Sequence, residues 1–252
     1  MTEVLILSIV QGITEFIPVS SSSHLVILTK LMNFSGGVLL DISVHIGSFF
    51  AVIIYFRKDL IDYSKNLKIL SLFLIASIPV ILSGYLLTKY NLVNNLRTLE
   101  IIGWATILFG ILLYISDKIK VKNEFEKNFD INVAFKIGLL QCFSLIPGVS
   151  RSGIVITASR FLKFDRIDSA KISFLLSIPT LLAVSCYGFF KMIQEGKSIQ
   201  NEINYLSIIL SFIFSYLTIK YLLLYLKKFS LNFFVIYRII LGIILLSTIY
   251  IY

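Results

Sequence analysis

Hydrophobic residues fill most of this chain in long runs, and the informative positions are the places where a run breaks. A bilayer crossing takes about 20 apolar residues, and stretches of that order occupy roughly 38–56, 69–88, 101–116, 172–190, 203–226 and 231–252. Two further apolar stretches are interrupted. The first runs from Val4 through Ile17, stops at Pro18 and resumes from Leu25 to Met32; the second runs from Ile131 to Ile146, stops at Pro147 and Gly148 and resumes from Ile154 to Leu162. Each piece is too short to cross alone, and the proline that divides it disfavours helix at the residue before. Ser20 to Ser23 supply N-cap side chains for the resumed helix. The pattern predicts an all-α polytopic membrane protein with six transmembrane helices and two re-entrant helix-loop-helix segments.

The two breaks resemble each other. Ile17, Pro18, Val19, Ser20, Ser21 and Ser22 can be laid on Ile146, Pro147, Gly148, Val149, Ser150, Arg151 and Ser152 with one residue inserted. Three spans follow each break, an odd number, so the second half is expected upside down relative to the first. The reading is a single membrane domain over 1–252, with one repeat at about 1–116 and an inverted one at about 131–252. In such arrangements the tips of broken helices meet near the midplane and form a binding site. A second echo, Ser77-Ile78-Pro79 against Ser177-Ile178-Pro179, lies at a different offset and carries no weight.

Composition narrows the class. The 252 residues are 57% hydrophobic and 15% charged, with mean hydropathy +0.90, which excludes an ordinary soluble domain. The first basic residue is Lys30, so a cleavable signal peptide is not expected. A net charge of +9 would point to nucleic acid in a soluble protein. Here the cations lie in loops between spans, a pattern set by anionic lipid, and nucleic acid is not an expected partner. Loops 57–68, 117–130 and 163–171 hold four, four and three Lys or Arg, against two each in 89–100 and 191–202. If the second broken segment re-enters, the richer loops and Lys227-Lys228 share one side and both termini lie on the other. Cys142 and Cys186 have apolar surroundings and no CxxC or His/Cys cluster, so they read as small buried hydrophobes.

Between Gln11 and His24 the chain sets a carboxylate, four consecutive hydroxyls and an imidazole among hydrocarbon. Ionisable groups are costly in a membrane and mark function there. Gln11 and Glu15, four apart, share a helix face. Glu15 can take a proton from a nucleophile, hold a divalent cation or neutralise an arginine. Ser21 is a candidate nucleophile, and His24 a candidate base or leaving-group acid. In the second break, Arg151 stands between Ser150 and Ser152, with Gly148 and Gly153 flanking. Glycine permits close backbone approach, a helix start carries about half a positive charge, and guanidinium binds phosphate bidentately. The set suits an anion with several oxygens, and Ser20, Ser22 and the first helix start complete the cradle from the opposite side.

Structural roles compete with these. Glu15 and Arg151 can be a buried ion pair, the serines plain caps, His24 an interfacial histidine and Gln11 an interhelical hydrogen bond. His45, four residues after Asp41, can be a proton relay or an interfacial group. Arg57, Arg160 and Arg238 read as snorkelling anchors or lipid-facing loop charges.

At these residues the chain closely resembles the bacitracin-resistance type of undecaprenyl-diphosphate phosphatase, over essentially its whole length. The family's first signature appears as Gln11, Glu15, Pro18, Val19, Ser20, Ser21 and His24, its second as Pro147 to Gly153, and a further family-like stretch as Asp41, His45, Gly47 and Ser48. The resemblance implies a membrane hydrolase that removes the terminal phosphate of a polyprenyl diphosphate and recycles the lipid carrier for cell-wall polysaccharide. It implies acid/base or metal work for Glu15 and Gln11, a nucleophile at Ser21, a proton donor or acceptor at His24, and phosphate binding by Arg151 and Ser150. It also implies a site open to the outer face and help from a divalent cation (Mg or Ca) through Glu15, with no organic cofactor. The expected partner is the polyprenyl diphosphate lipid, and a homodimer is the assembly carried with it. The chain departs from the family pattern at Gln11, the less acidic option, at Ser23, where Gly is common, and at Val155, where a hydroxyl often stands. The reading from another class is a polyprenyl-phosphate flippase or organic-anion transporter, because secondary transporters also use inverted repeats. A lipid phosphatase with two histidines is disfavoured, since no His follows His45.

Overall fold

The computed structural model describes residues 1–34, 37–90, 92–194 and 202–250, and these are helical throughout apart from turns and one isolated bridge between Asn123 and Phe164. In chain order the helices are α1 (Thr2–Thr14), α2 (Ser21–Leu31), α3 (Gly37–Tyr55), α4 (Arg57–Ser64), α5 (Leu67–Lys89), α6 (Val93–Leu96) and α7 (Leu99–Asp117). They continue as α8 (Phe125–Asn128), α9 (Ile131–Gln141) with a 3-10 turn at Cys142–Leu145, α10 (Arg151–Phe161), α11 (Arg166–Gln194), α12 (Glu202–Leu226) and α13 (Asn232–Tyr250). Five of them (α5, α7, α11, α12 and α13) are long and apolar enough to cross a membrane, and a sixth crossing is reached if α3 and α4, bent by 71°, are one broken span. The chain is therefore an all-α polytopic membrane protein. α1 and the α9 region are apolar but short, as the interrupted stretches require.

Contacts among loops fix which ends lie together. Lys171 Nζ pairs with Asp59 Oδ1 at 2.7 Å, the amide of Phe125 donates to Asp168 Oδ2 at 2.8 Å, and the amides of Lys122 and Asn123 donate to Lys163 O at 2.9 and 3.1 Å. Asp117 accepts two bonds from Arg166, at 2.6 and 2.9 Å, and one from the Leu231 amide at 3.2 Å. The loops after α3, α7, α10 and α12 thus meet at one end, and they are the same loops that the charge pattern groups together. Because α9 starts and α10 finishes at that end, the second hairpin re-enters. At the other end, Val4 and Leu7 of α1 pack with Leu28 and Met32 of α2 and with Leu40 and Val44 of α3. The first hairpin therefore comes in from the opposite side, and the two turns meet inside the helix bundle. α1 packs on α12 and α9 on α5, while α3 packs on α11 and α12, and α7 on α13.

Several expectations are corrected. The first helix does not reach Ile17: α1 stops at Thr14, and Phe16 turns inward, fully buried, edge-on to Phe174 at 5.4 Å between ring centres. The polar loop after α3 begins as α4, whose Tyr63 packs edge-on to Phe125. Arg160 and Arg238 are not lipid-facing anchors but are 3% and 0% exposed, because backbone carbonyls accept from the terminal nitrogens of each guanidinium. Arg160 donates to the carbonyls of Phe164, Asp117 and Ile119. Arg57 is exposed and donates to Ile54 O, as a loop charge does. The thiols are free, with Cys142 half-buried and Cys186 exposed rather than both buried. Residues 195–201 of the loop counted as 191–202 lie outside the described residues.

Candidate active site

Glu15 sits where α1 ends, its amide still bonded to Gln11 O at 2.9 Å, and only 7% of it is exposed. Its carboxylate gathers groups from both breaks. Oε2 accepts from Gln11 Nε2 and from Ser21 Oγ, each at 2.8 Å, while Oε1 pairs with Arg151 Nη2 at 3.0 Å. Arg151 also donates through Nη1 to Ser173 O of α11 at 3.2 Å. Gln11, Glu15, Ser21 and Arg151, which span 140 positions of sequence, form one hydrogen-bonded set with a serine hydroxyl aimed at a carboxylate.

A second set of hydroxyls stitches the turns together. Ser20 Oγ lies 3.2 and 2.9 Å from the hydroxyls of Ser22 and Ser23 and accepts from the Gly148 amide at 3.2 Å. Ser152 donates to Ile17 O at 2.8 Å, and Ser150 lies 3.1 Å from Ser152 Oγ while capping α10 through the Gly153 amide at 3.1 Å. Ser20 and Ser150 hold the same place, each the N-cap of its helix with φ of 76° and 72°. That backbone costs a non-glycine residue on the order of 1–3 kcal/mol, and surrounding bonds must hold it. Ser20 nonetheless makes no side-chain cap: its oxygen is spent on the other break, so the first amides of α2 stay available to an anion.

The glycines of the second motif face protein. Gly148 has φ of 102°, and a Cβ there would come within 2.7 Å of Ile102 O on α7. At Gly153 a Cβ would stand 2.8 Å from Arg238 Nη1. Arg238 is the main group that reading the sequence missed. It donates to Pro18 O of the first break at 3.1 Å, to Gly148 O of the second at 2.8 Å and to Thr106 O of α7 at 3.2 Å. The available signal was an arginine within an apolar span, which in a membrane points inward more often than out. Ser173 was also missed, because a carbonyl ligand carries no side-chain signal.

His24 stands apart from this set. Its Nδ1 lies 2.7 Å from Ser20 O and its Nε2 2.5 Å from the hydroxyl of Tyr237, with no hydrogen bond to Glu15, Ser21 or Arg151 among the described residues. His45 bonds through Nδ1 to Asp41 at 2.6 Å, but to its backbone carbonyl rather than the carboxylate of a relay. Ser23 and Val155, where the sequence departs from the family pattern, are both fully buried. Among the described residues no three His, Cys, Asp or Glu cluster to hold a metal. Glu15 is the carboxylate present, and with one carboxylate the donor set fits a cation that arrives with phosphate oxygens and keeps its water, not a resident protein cage.

Comparison with known proteins gives the family. The family model described as Bacitracin resistance protein BacA matches residues 4–244. A relative from Pelagibacter ubique, named undecaprenyl-diphosphatase, is 50% identical over 98% of this chain and 97% of its own length. Relatives of the same name from Jannaschia sp. and Saccharophagus degradans are each 36% identical, over 97% and 94% of this chain and 97% and 93% of their own lengths. With both broken-helix motifs inside the matched region and joined through Glu15 and Arg151, the chain belongs to the bacitracin resistance protein BacA family.

Proposed function

We propose that this chain removes the terminal phosphate of undecaprenyl diphosphate, leaving the monophosphate and inorganic phosphate. The observation that carries the reading is the 3.0 Å pair of Glu15 and Arg151, made by two hairpins that enter from opposite ends. Arg151 is half-spent on Glu15 in the free protein. A diphosphate brings about two to three negative charges, competes for the guanidinium and leaves Glu15 facing Ser21 as a base. Ser21 Oγ attacks the terminal phosphorus and its proton passes to Glu15; the bridging P–O bond breaks, and the departing monophosphate oxygen takes a proton drawn ultimately from His24. Water then cleaves the phosphoserine and releases inorganic phosphate. Arg151, Ser150 and the first amides of α2 and α10 stabilise the equatorial oxygens. Glu15 would be the residue to hold a divalent cation arriving with the substrate, which would supply further charge neutralisation.

The relatives' shared name supports the substrate, and the lipid tail fits a protein bounded by apolar helices. Placing the basic end in the cytoplasm follows from the clustered Lys and Arg loops; the site then opens to the outer face of the cell membrane. The biological role is to recycle the carrier lipid for cell-wall polysaccharide, and abundant enzyme would confer bacitracin resistance. We also read the halves as inverted repeats, since Ser20 and Ser150 match in conformation and α1 on α12 mirrors α9 on α5.

The test is phosphate release from a prenyl diphosphate by purified protein in detergent. Arg151→Ala and Glu15→Ala should each abolish it, and turnover in both variants sinks the site. Lipid translocation without hydrolysis would favour a carrier instead.

A further inference from the structure

The histidine assigned to proton transfer has neither ring nitrogen open. A carbonyl oxygen has no hydrogen to give, so the 2.7 Å contact between His24 Nδ1 and Ser20 O requires the hydrogen to sit on Nδ1 in both charge states of the ring. All exchange then falls to Nε2, and the Tyr237 hydroxyl lies 2.5 Å from it. The two rings are parallel within 9°, with centres 5.7 Å apart, so Tyr237 fixes both the tilt of the imidazole and its free lone pair. Tyr237 is itself 38% exposed.

Its delivery is rigid. The next residue in α13 is Arg238, fully buried and bonded to the carbonyls of Pro18 and Gly148. The helix that carries Tyr237 is thereby locked to both breaks, and Ser20, whose carbonyl holds the other side of His24, belongs to the first of them. Carbonyl, imidazole and phenol make one hydrogen-bonded line from the first break to α13.

We propose that Tyr237 is a positioning and proton-relay residue for His24, so that the exchangeable proton of the site enters and leaves through the Tyr237 hydroxyl. In the neutral ring the phenol O–H donates to Nε2. When a proton arrives at the phenol oxygen, the phenol's own hydrogen moves to Nε2, giving an imidazolium that donates back to an intact phenol. In the reverse direction the Nε2 hydrogen returns to the phenol oxygen, and the phenol hydrogen passes to the departing monophosphate oxygen as its bond to phosphorus breaks. One proton is transferred and both residues end as they began. The use of the relay rests on the phosphatase reading above; the hydrogen-bonded line does not.

The experiment separates these. The chain has two histidines, His24 and His45, so full-length protein labelled with 15N-histidine in detergent gives two ring systems, assigned with a His45→Gln variant. His24 should be the Nδ1–H tautomer when neutral, and Tyr237→Phe, which keeps the ring and deletes the hydroxyl, should shift its Nε2 resonance. An Nε2–H tautomer, or a spectrum indifferent to Tyr237→Phe, overturns the line. In phosphate release, Tyr237→Phe should lower kcat about tenfold or more with KM within about twofold, in keeping with general acid–base contributions of 10² or above. The same change in a His24→Ala background should have no further effect. Unchanged kcat in Tyr237→Phe, or an equal loss with and without His24, overturns the relay. If the wild-type protein releases no phosphate while the tautomer and its shift are as stated, the phosphatase reading fails and the line stands.

Discussion

Adding one methyl group at Gly153 tests whether the second motif is built around Arg238. In Gly153→Ala the new Cβ meets Arg238 Nη1 at 2.8 Å, Ser150 Cβ at 3.0 Å and Ser150 Oγ at 3.2 Å. None of these can retreat freely. Arg238 is 0% exposed and holds three carbonyls, and Ser150 caps α10 through the Gly153 amide itself. Overpacking a filled interior costs about 1–3 kcal/mol. If the guanidinium swings away from Pro18 O, a charged hydrogen bond of about 1.5–3 kcal/mol goes with it. The sum expected is about 2.5–6 kcal/mol of stability, together with misalignment of the two breaks. The assay is thermal unfolding in detergent alongside phosphate release, compared with Arg238→Met and the double variant. Methionine ends short of the Nη1 contact but leaves Ser150 in place, so Gly153→Ala in the Arg238→Met background should lose the charged-bond part of its penalty, about 1.5–3 kcal/mol, a coupling of the kind double-mutant cycles resolve. A Gly153→Ala protein as stable and active as the parent, or equal penalties in both backgrounds, would refute the reasoning.

Asp117→Asn leaves Arg166 and Arg160 without their carboxylate at the basic end of the bundle, where Asp117 is 5% exposed. Breaking a fully buried pair costs about 3–5 kcal/mol; since Arg166 is 35% exposed, about 2 kcal/mol is expected after solvent screening, read as a lower unfolding temperature. Arg151→Lys keeps the charge but not the planar fork that reaches Glu15 and Ser173 together. Loss of one charged bond of about 1.5–3 kcal/mol predicts a fall of tenfold or more in kcat/KM for phosphate release. Ser21→Ala should abolish turnover, and acid quench of the parent during a single turnover with substrate labelled on the terminal phosphate should trap label on Ser21; protein that turns over without labelling would assign the attack to water. Chelation of divalent cations should slow the parent, and an unchanged rate would remove the cation from the site.

The chain's order alone determined a good deal. Six long apolar runs have one physical solution in a bilayer, because a backbone there must satisfy its own hydrogen bonds. Pro18 and Pro147 forced two runs to stop short, and the chain sets its densest groups of hydroxyl and ionisable residues within apolar sequence at those stops. Glu15, Ser21 and Arg151 were legible for that reason, and the basic loops were legible because their charge must stay in water. What the order could not decide is which partner each polar group takes across the bundle. Arg238 reads as a lipid anchor until the fold places the carbonyls of Pro18, Gly148 and Thr106 around it, and carbonyl acceptors leave no trace in side-chain identity. Gly148 and Gly153 read as openings for a ligand until α7 and Arg238 arrive to fill the space. His24 was visible as a candidate proton carrier, but its hydrogen-bond partners are Ser20 O and Tyr237, one a backbone atom and the other more than 200 positions away. Local pattern fixes where polarity must gather; only packing in three dimensions fixes which lone pair meets which hydrogen.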